Sequence, residues 1–301
     1  MYERIMVPLD GSTFAEAALP LALTLSRHTG AALHVVTVLE PTTSFAYDGW
    51  ESAALEWSKE YLAGLEERIG GSAGGPVVTT VLSGHTLEQL LGAATEREID
   101  VVVMATHGRG ALSRLWLGSV ADALARHADR PVILVRPDED GSAPEAFTKE
   151  FRTLLVPLDG SELSESALGH AVEFGELFDA AYHLTRAVVQ PFDVASPYLP
   201  HTVQMNQEIV EEAKKHAAAY LEGHAERLRR RGMSVTTSVV VDGQPGGVVL
   251  REAEAVGAEV IAMATHGRSG IDRALLGSTA DKVLRGTHLP VLLYRPAVLP
   301  G

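Results

Sequence analysis

Ala105, Gly108, Arg109, Gly118 and Ser119 stand within the stretch Ala105–Ser119 (ATHGRGALSRLWLGS), whose residue types suit the holding of an anion. The stretch recurs at an offset of 159 as Ala264–Ser278 (ATHGRSGIDRALLGS), and 9 of the 15 positions are identical. Each copy follows a short apolar run, Val101–Met104 or Val260–Met263. Each leads into a helix-like segment, Val120–His127 or Thr279–Thr287. Strand, glycine-bearing loop and helix in that order leave unpaired backbone N–H groups and a positive dipole end at the loop's exit, which suits phosphate. Gly108 lets the backbone approach a ligand closely, and Ser119 can add its hydroxyl. The plainer reading makes Gly108 a turn and Ser119 a helix cap, with Asp122 completing a capping box. Duplication of the whole pattern, with Arg109 and Arg114 matched by Arg268 and Arg273, favours a ligand loop in which arginines neutralise phosphate charge.

Other chemistries find less support. His107 and His266 read as turn residues rather than general bases. The 12 histidines show no H-E-x-x-H or paired-ligand spacing, so no protein-built metal site is expected. No Walker motif is present, and neither loop holds a lysine or a water-orienting residue, so ATP hydrolysis is expected to be slow at most. The absence of cysteine excludes disulfides, zinc–thiolate sites and thiol catalysis. A net charge of −14, from 39 acidic against 25 basic residues, argues against nucleic acid or an anionic membrane as partner. The opening MYERIMVPLDGS reads as a strand rather than a signal peptide, and no run approaches the roughly 18 apolar residues of a membrane span. A cytoplasmic protein is the expectation.

The elements that must position the loops follow from periodicity. A length of 301 residues accommodates two domains of about 150 each. Ile5–Leu9 reads as a buried strand ending at Asp10-Gly11-Ser12, and Thr13–Arg27 as a helix with apolar residues at 14, 17, 18, 21, 22 and 25. Ala31–Leu39, Val77–Leu82, Asp100–Ala105 and Val132–Arg136 read as further strands. Trp50–Ile69 and Thr86–Arg97 read as helices. Alternation of strands with helices predicts a parallel sheet with right-handed crossovers. Polar, proline-bearing Pro137–Lys149 marks a linker, and the pattern then restarts: VPLDGS recurs at Val156–Ser161 at an offset of 149, with His183 matching His34. The growth of the offset to 159 places an insertion within Val189–Met205, ahead of a longer helix over Gln204–Arg231. The expected boundaries are 1–137 for the first domain, 138–149 for the linker and 150–301 for the second. The expected fold is α/β: two tandem Rossmann-like open parallel five-stranded sheets of order 3-2-1-4-5, with helices on both faces.

In such sheets ligands sit at the carboxyl ends of strands where the order reverses. Asp10 and the glycine loop would then flank one crevice, the aspartate accepting from ribose hydroxyls and the backbone at Val35 meeting a base. A cap on the following helix is the competing role for Asp10. VPLDGS at the first strand end, together with the spacing from Gly108 across nine residues to Gly118-Ser119, resembles the universal stress protein family over essentially the whole chain, as two tandem domains. ATP-binding members carry G-x2-G-x9-G-[ST]; here Ala105 and Ala264 stand at the first glycine. The resemblance implies nucleotide contacts at Pro8, Asp10, Val35, Ala105, Gly108, Gly118, Ser119 and Val120. In the second half it implies them at Pro157, Asp159, Leu184, Ala264, Gly267, Gly277, Ser278 and Thr279. The implied ligand is ATP, with Mg2+ within reach of Asp10 and Asp159. A scaffold of the same fold that binds no nucleotide is the alternative. The apolar final strands Val132–Val135 and Val291–Tyr294 would lie at open sheet edges. Such edges invite pairing with another strand. The resemblance implies that they pair antiparallel between domains, here between the two halves as a pseudo-dimer, while a homodimer of whole chains would use the remaining faces.

Overall fold

A computed structural model describes residues 1–41, 49–106, 117–138, 140–143, 150–189, 202–265 and 276–295. Strand β1 (Arg4–Pro8) is an apolar run whose Ile5, Met6 and Val7 are wholly buried, the pattern of a parallel strand covered on both faces. Ser12 then caps a short helix, α1 (Thr13–Glu16), by accepting from the Ala15 N–H at 3.2 Å.

The single helix expected over Thr13–Arg27 is broken. Ala17 and Ala18 turn back to Phe14 and Ala15 in tight three-residue steps before α2 (Leu19–Thr29) begins, with Pro20 in its first turn. Proline has no N–H to give to the carbonyl four residues back, and its ring clashes there, so it fits only a helix start. Helix α2 closes on Gly30, whose φ of 74° suits glycine. The first repeat continues through β2 (Ala32–Leu39), α3 (Trp50–Gly70), β3 (Val77–Ser83), α4 (Thr86–Glu96), β4 (Val101–Ala105), α5 (Ser119–His127) and β5 (Val132–Val135).

The second repeat runs β6 (Thr153–Pro157), α6 (Glu162–Glu176), β7 (Ala181–Val188), α7 (Thr202–Arg229), β8 (Val235–Val241), α8 (Pro245–Ala255), β9 (Val260–Ala264), α9 (Ser278–Gly286) and β10 (Val291–Tyr294). Gly169 stands where the first repeat has Pro20, and α6 accordingly runs unbroken.

The chain forms two compact units, one built on β1–β5 with β10 and the other on β6–β9. In the first, parallel strands follow the expected order β3-β2-β1-β4-β5, and β10 lies antiparallel to β5 with Leu292 opposite Ile133. In the second the parallel order is β8-β7-β6-β9, so in both units the order reverses beside the first strand of the repeat. The fold is α/β and built from two Rossmann-like repeats. The second core is the more aromatic: Phe151, Phe174 and Phe178 meet with ring centroids 5.1–5.5 Å apart. Tyr2, Leu25 and Thr29 occupy those places in the first repeat.

Candidate functional site

The two glycine loops leave the sheets at the same place and return in the same way. Residues 107–116 and 266–275, and with them Gly108, Arg109, Gly267 and Arg268, lie outside the described residues. Both ends of each loop are described. The Gly118 N–H donates to the Thr106 carbonyl at 2.7 Å, and the Gly277 N–H to the Thr265 carbonyl at 2.9 Å, so the start of each following helix is tied to the end of its strand. Ala105 and Ala264 are the last, buried residues of β4 and β9.

Gly118 and Gly277 are the N-caps of α5 and α9, and no side chain caps either helix. Ser119 and Ser278 are the first helical residues, and both are exposed. The capping box of Ser119 and Asp122 does not form, because Gly118 rather than Ser119 is the N-cap; the Asp122 carboxylate accepts from Arg126 Nε one turn on, at 3.0 Å. Asp281 pairs with Arg285 in the same way at 2.8 Å. Both helix starts therefore present first-turn N–H groups with no side-chain acceptor supplied by the helix, the arrangement that receives an anion.

Asp10 does not cap α1 itself. Its Oδ1 accepts from Ser12 N–H at 2.9 Å and from the Ser12 hydroxyl at 2.6 Å, and Ser12 makes the cap. Asp159 and Ser161 repeat these bonds at the same distances, with Ser161 capping α6. Each aspartate thus fixes the turn after its first strand, held half-buried at the strand's carboxyl end.

In the second repeat the strand ends and α9 wall a cavity of about 350 Å³. On the β9 side it is lined by Ala264, Thr265, Gly277, Ser278 and Thr279, and its floor includes Pro157 and Asp159 from β6 and the following turn. On the β7 side the wall is Thr185, Ala187 and Val189, faced by Pro245, Val248 and Val249 at the start of α8. Of the residues singled out from sequence, Pro157, Asp159, Ala264, Gly277, Ser278 and Thr279 are brought together here. Leu184 is wholly buried and does not line the cavity. Successive side chains of a strand face opposite ways, so residues 185, 187 and 189 share the cavity face and 184 takes the other. In the first repeat Pro8, Asp10, Ala105, Gly118, Ser119 and Val120 occupy the matching strand ends and helix start, and Val35 is wholly buried like Leu184.

Thr185, Ser164 and the α8 valines escaped the sequence reading. Strand β7 (AYHLTRAV) carries His183, Thr185 and Arg186, and the strand's alternation, which puts Thr185 on the opposite face from Leu184, was the available signal for the first of them. Arg186, on the opposite face of β7, stacks its guanidinium over Tyr220 at 4.8 Å from the ring centroid and packs against Gly160. A Cβ on Gly160 would stand 2.9 Å from both terminal nitrogens of Arg186, and with φ at 86° that turn admits glycine alone without strain. A cation therefore sits beside the Asp159–Gly160 turn, where the first repeat has Thr37.

Among the described residues no group of three or more histidines, aspartates and glutamates is placed to hold a metal ion, and no helix is long and apolar enough to cross a membrane.

Comparison with known proteins fits this architecture. The model of the universal stress protein family matches residues 1–136 and again 150–295. A universal stress protein of Mycobacterium tuberculosis is 34% identical over 198 residues, covering 66% of this chain and 62% of that protein's length, a little under two thirds of it. One from Mycolicibacterium smegmatis is 27% identical over 306 residues and covers 97% of both chains. Among solved structures, a universal stress protein from Archaeoglobus fulgidus superposes with a TM-score of 0.73 at 18% identity, over 98% of this chain and 96% of the other, which is a likeness of fold. Two consecutive family matches, each on one α/β repeat with its own glycine loop, establish that the chain belongs to the universal stress protein family.

Proposed function

We propose that the chain binds ATP at the crevice between the first and fourth strands of each repeat, with slow hydrolysis or none, and serves in stress response or signalling in the cytoplasm. The observation that carries this reading is the cavity of about 350 Å³ in the second repeat, a volume suited to a small-molecule ligand, which opens at a helix start with no side-chain cap. The first-turn N–H groups of α9 and the Ser278 hydroxyl would receive phosphate, and Asp159 would accept from ribose hydroxyls. The apolar β7–α8 side would take the base. Asp10 plays the matching part in the first repeat, with Ser119 at the helix start. Mg2+ would come with the phosphates, near the two aspartates. ATP supplies a transferable phosphoryl group when bound; neither glycine loop's sequence holds a lysine or a water-orienting residue, which supports slow turnover or none.

Edge pairing belongs to the same reading. The apolar β5 accepts an antiparallel partner in β10, which supports the two repeats acting as a covalent pseudo-dimer. Association of whole chains into a homodimer is measurable as mass in solution.

Calorimetric titration of the full chain with ATP tests the function directly. Saturable binding at micromolar to millimolar ATP is expected. Heats no larger than dilution across that range would overturn nucleotide binding and leave a scaffold of the same fold.

A further inference from the structure

Among the described residues, the cavity's β7 side is apolar except at one position. Among the described lining residues there, Thr185 alone carries a polar side chain, and it is 1% exposed. Its Oγ1 lies 2.9 Å from the Ser238 hydroxyl on β8, which is its register partner. Ser238 also bonds the Glu252 carboxylate from α8 and lies 2.9 Å from His183 Nε2. The imidazole is completed by Thr236, whose hydroxyl is 2.7 Å from His183 Nδ1.

The hydrogens in this cluster can be counted. A carboxylate accepts and cannot donate, and a serine hydroxyl has a single proton. Ser238 faces both Glu252 and Thr185, and the charged acceptor makes the stronger bond, so the proton goes to Glu252. The Ser238 oxygen then accepts from His183 Nε2–H and from the Thr185 hydroxyl. His183 Nδ1 is left as an acceptor and takes the Thr236 proton, so every donor has a partner. The consequence falls on Thr185: its own proton is committed to Ser238, and its oxygen lone pairs are what it can offer a ligand in the cavity.

We infer that Thr185, polarised through Ser238 by Glu252, is a specificity-determining residue of the second crevice, a fixed acceptor that selects a purine bearing an exocyclic amino group over one bearing a carbonyl there. This rests on the nucleotide reading above. An amino group donates to such an oxygen, whereas a carbonyl sets two acceptors against each other in a buried wall. The first repeat lacks the device. Val36 stands at the place of Thr185 and Ala93 at that of Glu252. Thr80, at the place of Ser238, is held by Arg97 at 2.9 Å. A change of preference caused by substitution at Thr185 therefore reports the second site, even in the full chain with both crevices present.

The test titrates the full chain with ATP and with inosine triphosphate, which carries a carbonyl in place of the 6-amino group. Thr185→Val copies the first repeat and keeps the side-chain shape. It is expected to weaken ATP binding about tenfold at one class of site and leave the inosine compound unchanged or improved. Thr185→Ser should retain the wild-type preference. Glu252→Gln lets the Ser238 proton turn either way and should narrow it. Thermal stability measured alongside separates a change of preference from a change of fold. An equal ratio of the two affinities in wild type and Thr185→Val, with ATP bound, overturns this inference and leaves the nucleotide reading standing. Failure of both triphosphates to bind the wild type overturns both.

Discussion

His34 and His183 occupy the same place in the two repeats, on the second strand and paired in the same register with the first, yet their surroundings are of opposite sign. His34 lies near Arg97 and Arg4, and its buried Nδ1 has no hydrogen-bond partner among the described residues. Burial first, and then those two cations, hold its pKa below the ordinary histidine value. His183 instead sits between hydroxyls, with the Glu252 carboxylate 3.4 Å from Nε2. The difference arises on the helix that follows the third strand, where Ala93 and Arg97 of α4 and its C-cap stand against Glu252 and Val256 of α8. Duplication preserved the backbone and the histidine, and a few helix residues decided what the histidine can do. The second repeat gained a polar network that reaches its cavity wall. The first has buried Val36 at the place of Thr185.

The largest expected effect tests how far the two cores have diverged. Gly175 leaves room for Tyr182, whose hydroxyl would stand 2.3 Å from an added Cβ and donates to the Val172 carbonyl at 3.1 Å. The first repeat has Ser26 and Leu33 in those places, and Ser26 uses its hydroxyl to bond the Ala31 carbonyl and the Gly74 N–H, at 2.8 and 3.0 Å. Gly175→Ser should therefore destabilise the chain by about 3 kcal/mol in denaturant unfolding. A cost below about 0.5 kcal/mol would mean that the two cores are interchangeable.

A second effect, about 1 kcal/mol, tests where the repeats agree. Tyr61 donates to Glu16 at 2.9 Å and Tyr220 donates to Glu165 at 2.9 Å, tying the long helix of each repeat to the helix after its first strand. Tyr61→Phe and Tyr220→Phe should each cost about 1 kcal/mol. Costs that differ by more than twofold would show that these matched contacts are not equivalent.

The smallest effect concerns pH and is read in the first repeat at His34. A histidine whose folded pKa is lowered binds protons better when unfolded, so stability falls as pH drops below about 6.5 and levels off beneath the folded value. His34→Gln should reduce that acid-side loss in thermal melts between pH 7 and 5, by only part, because burial also lowers His170 and His224. An unchanged acid slope would contradict the account of the His34 environment.

Much of this was legible in the sequence because the chain carries its own control. The paired offsets exposed the repeat, the apolar runs gave β1, β4, β6 and β9, and the glycine loops located the strand order's reversal. What escaped depended on three dimensions. Pro20 broke an amphipathic stripe that continues through it, since a hydrophobic period says nothing of a missing N–H. Ser119 and Ser278 look like caps, but the chain enters each helix one residue earlier, at glycine. The cavity wall fell on Thr185 and Ala187 rather than Leu184 because a one-residue shift along a strand exchanges its faces. Nothing local joins Ser238 and Glu252 to His183; β8 and α8 bring them together only in the folded unit.

The account's central claim is that α9's uncapped start is a phosphate site, and one comparison tests it most directly. Calorimetry on the full chain should show ATP binding at least about tenfold tighter than adenosine, with the advantage shrinking as salt is raised. Replacing Ser278 with Ala should weaken ATP severalfold and leave adenosine unchanged. Equal affinities for ATP and adenosine in the wild-type chain would contradict the claim.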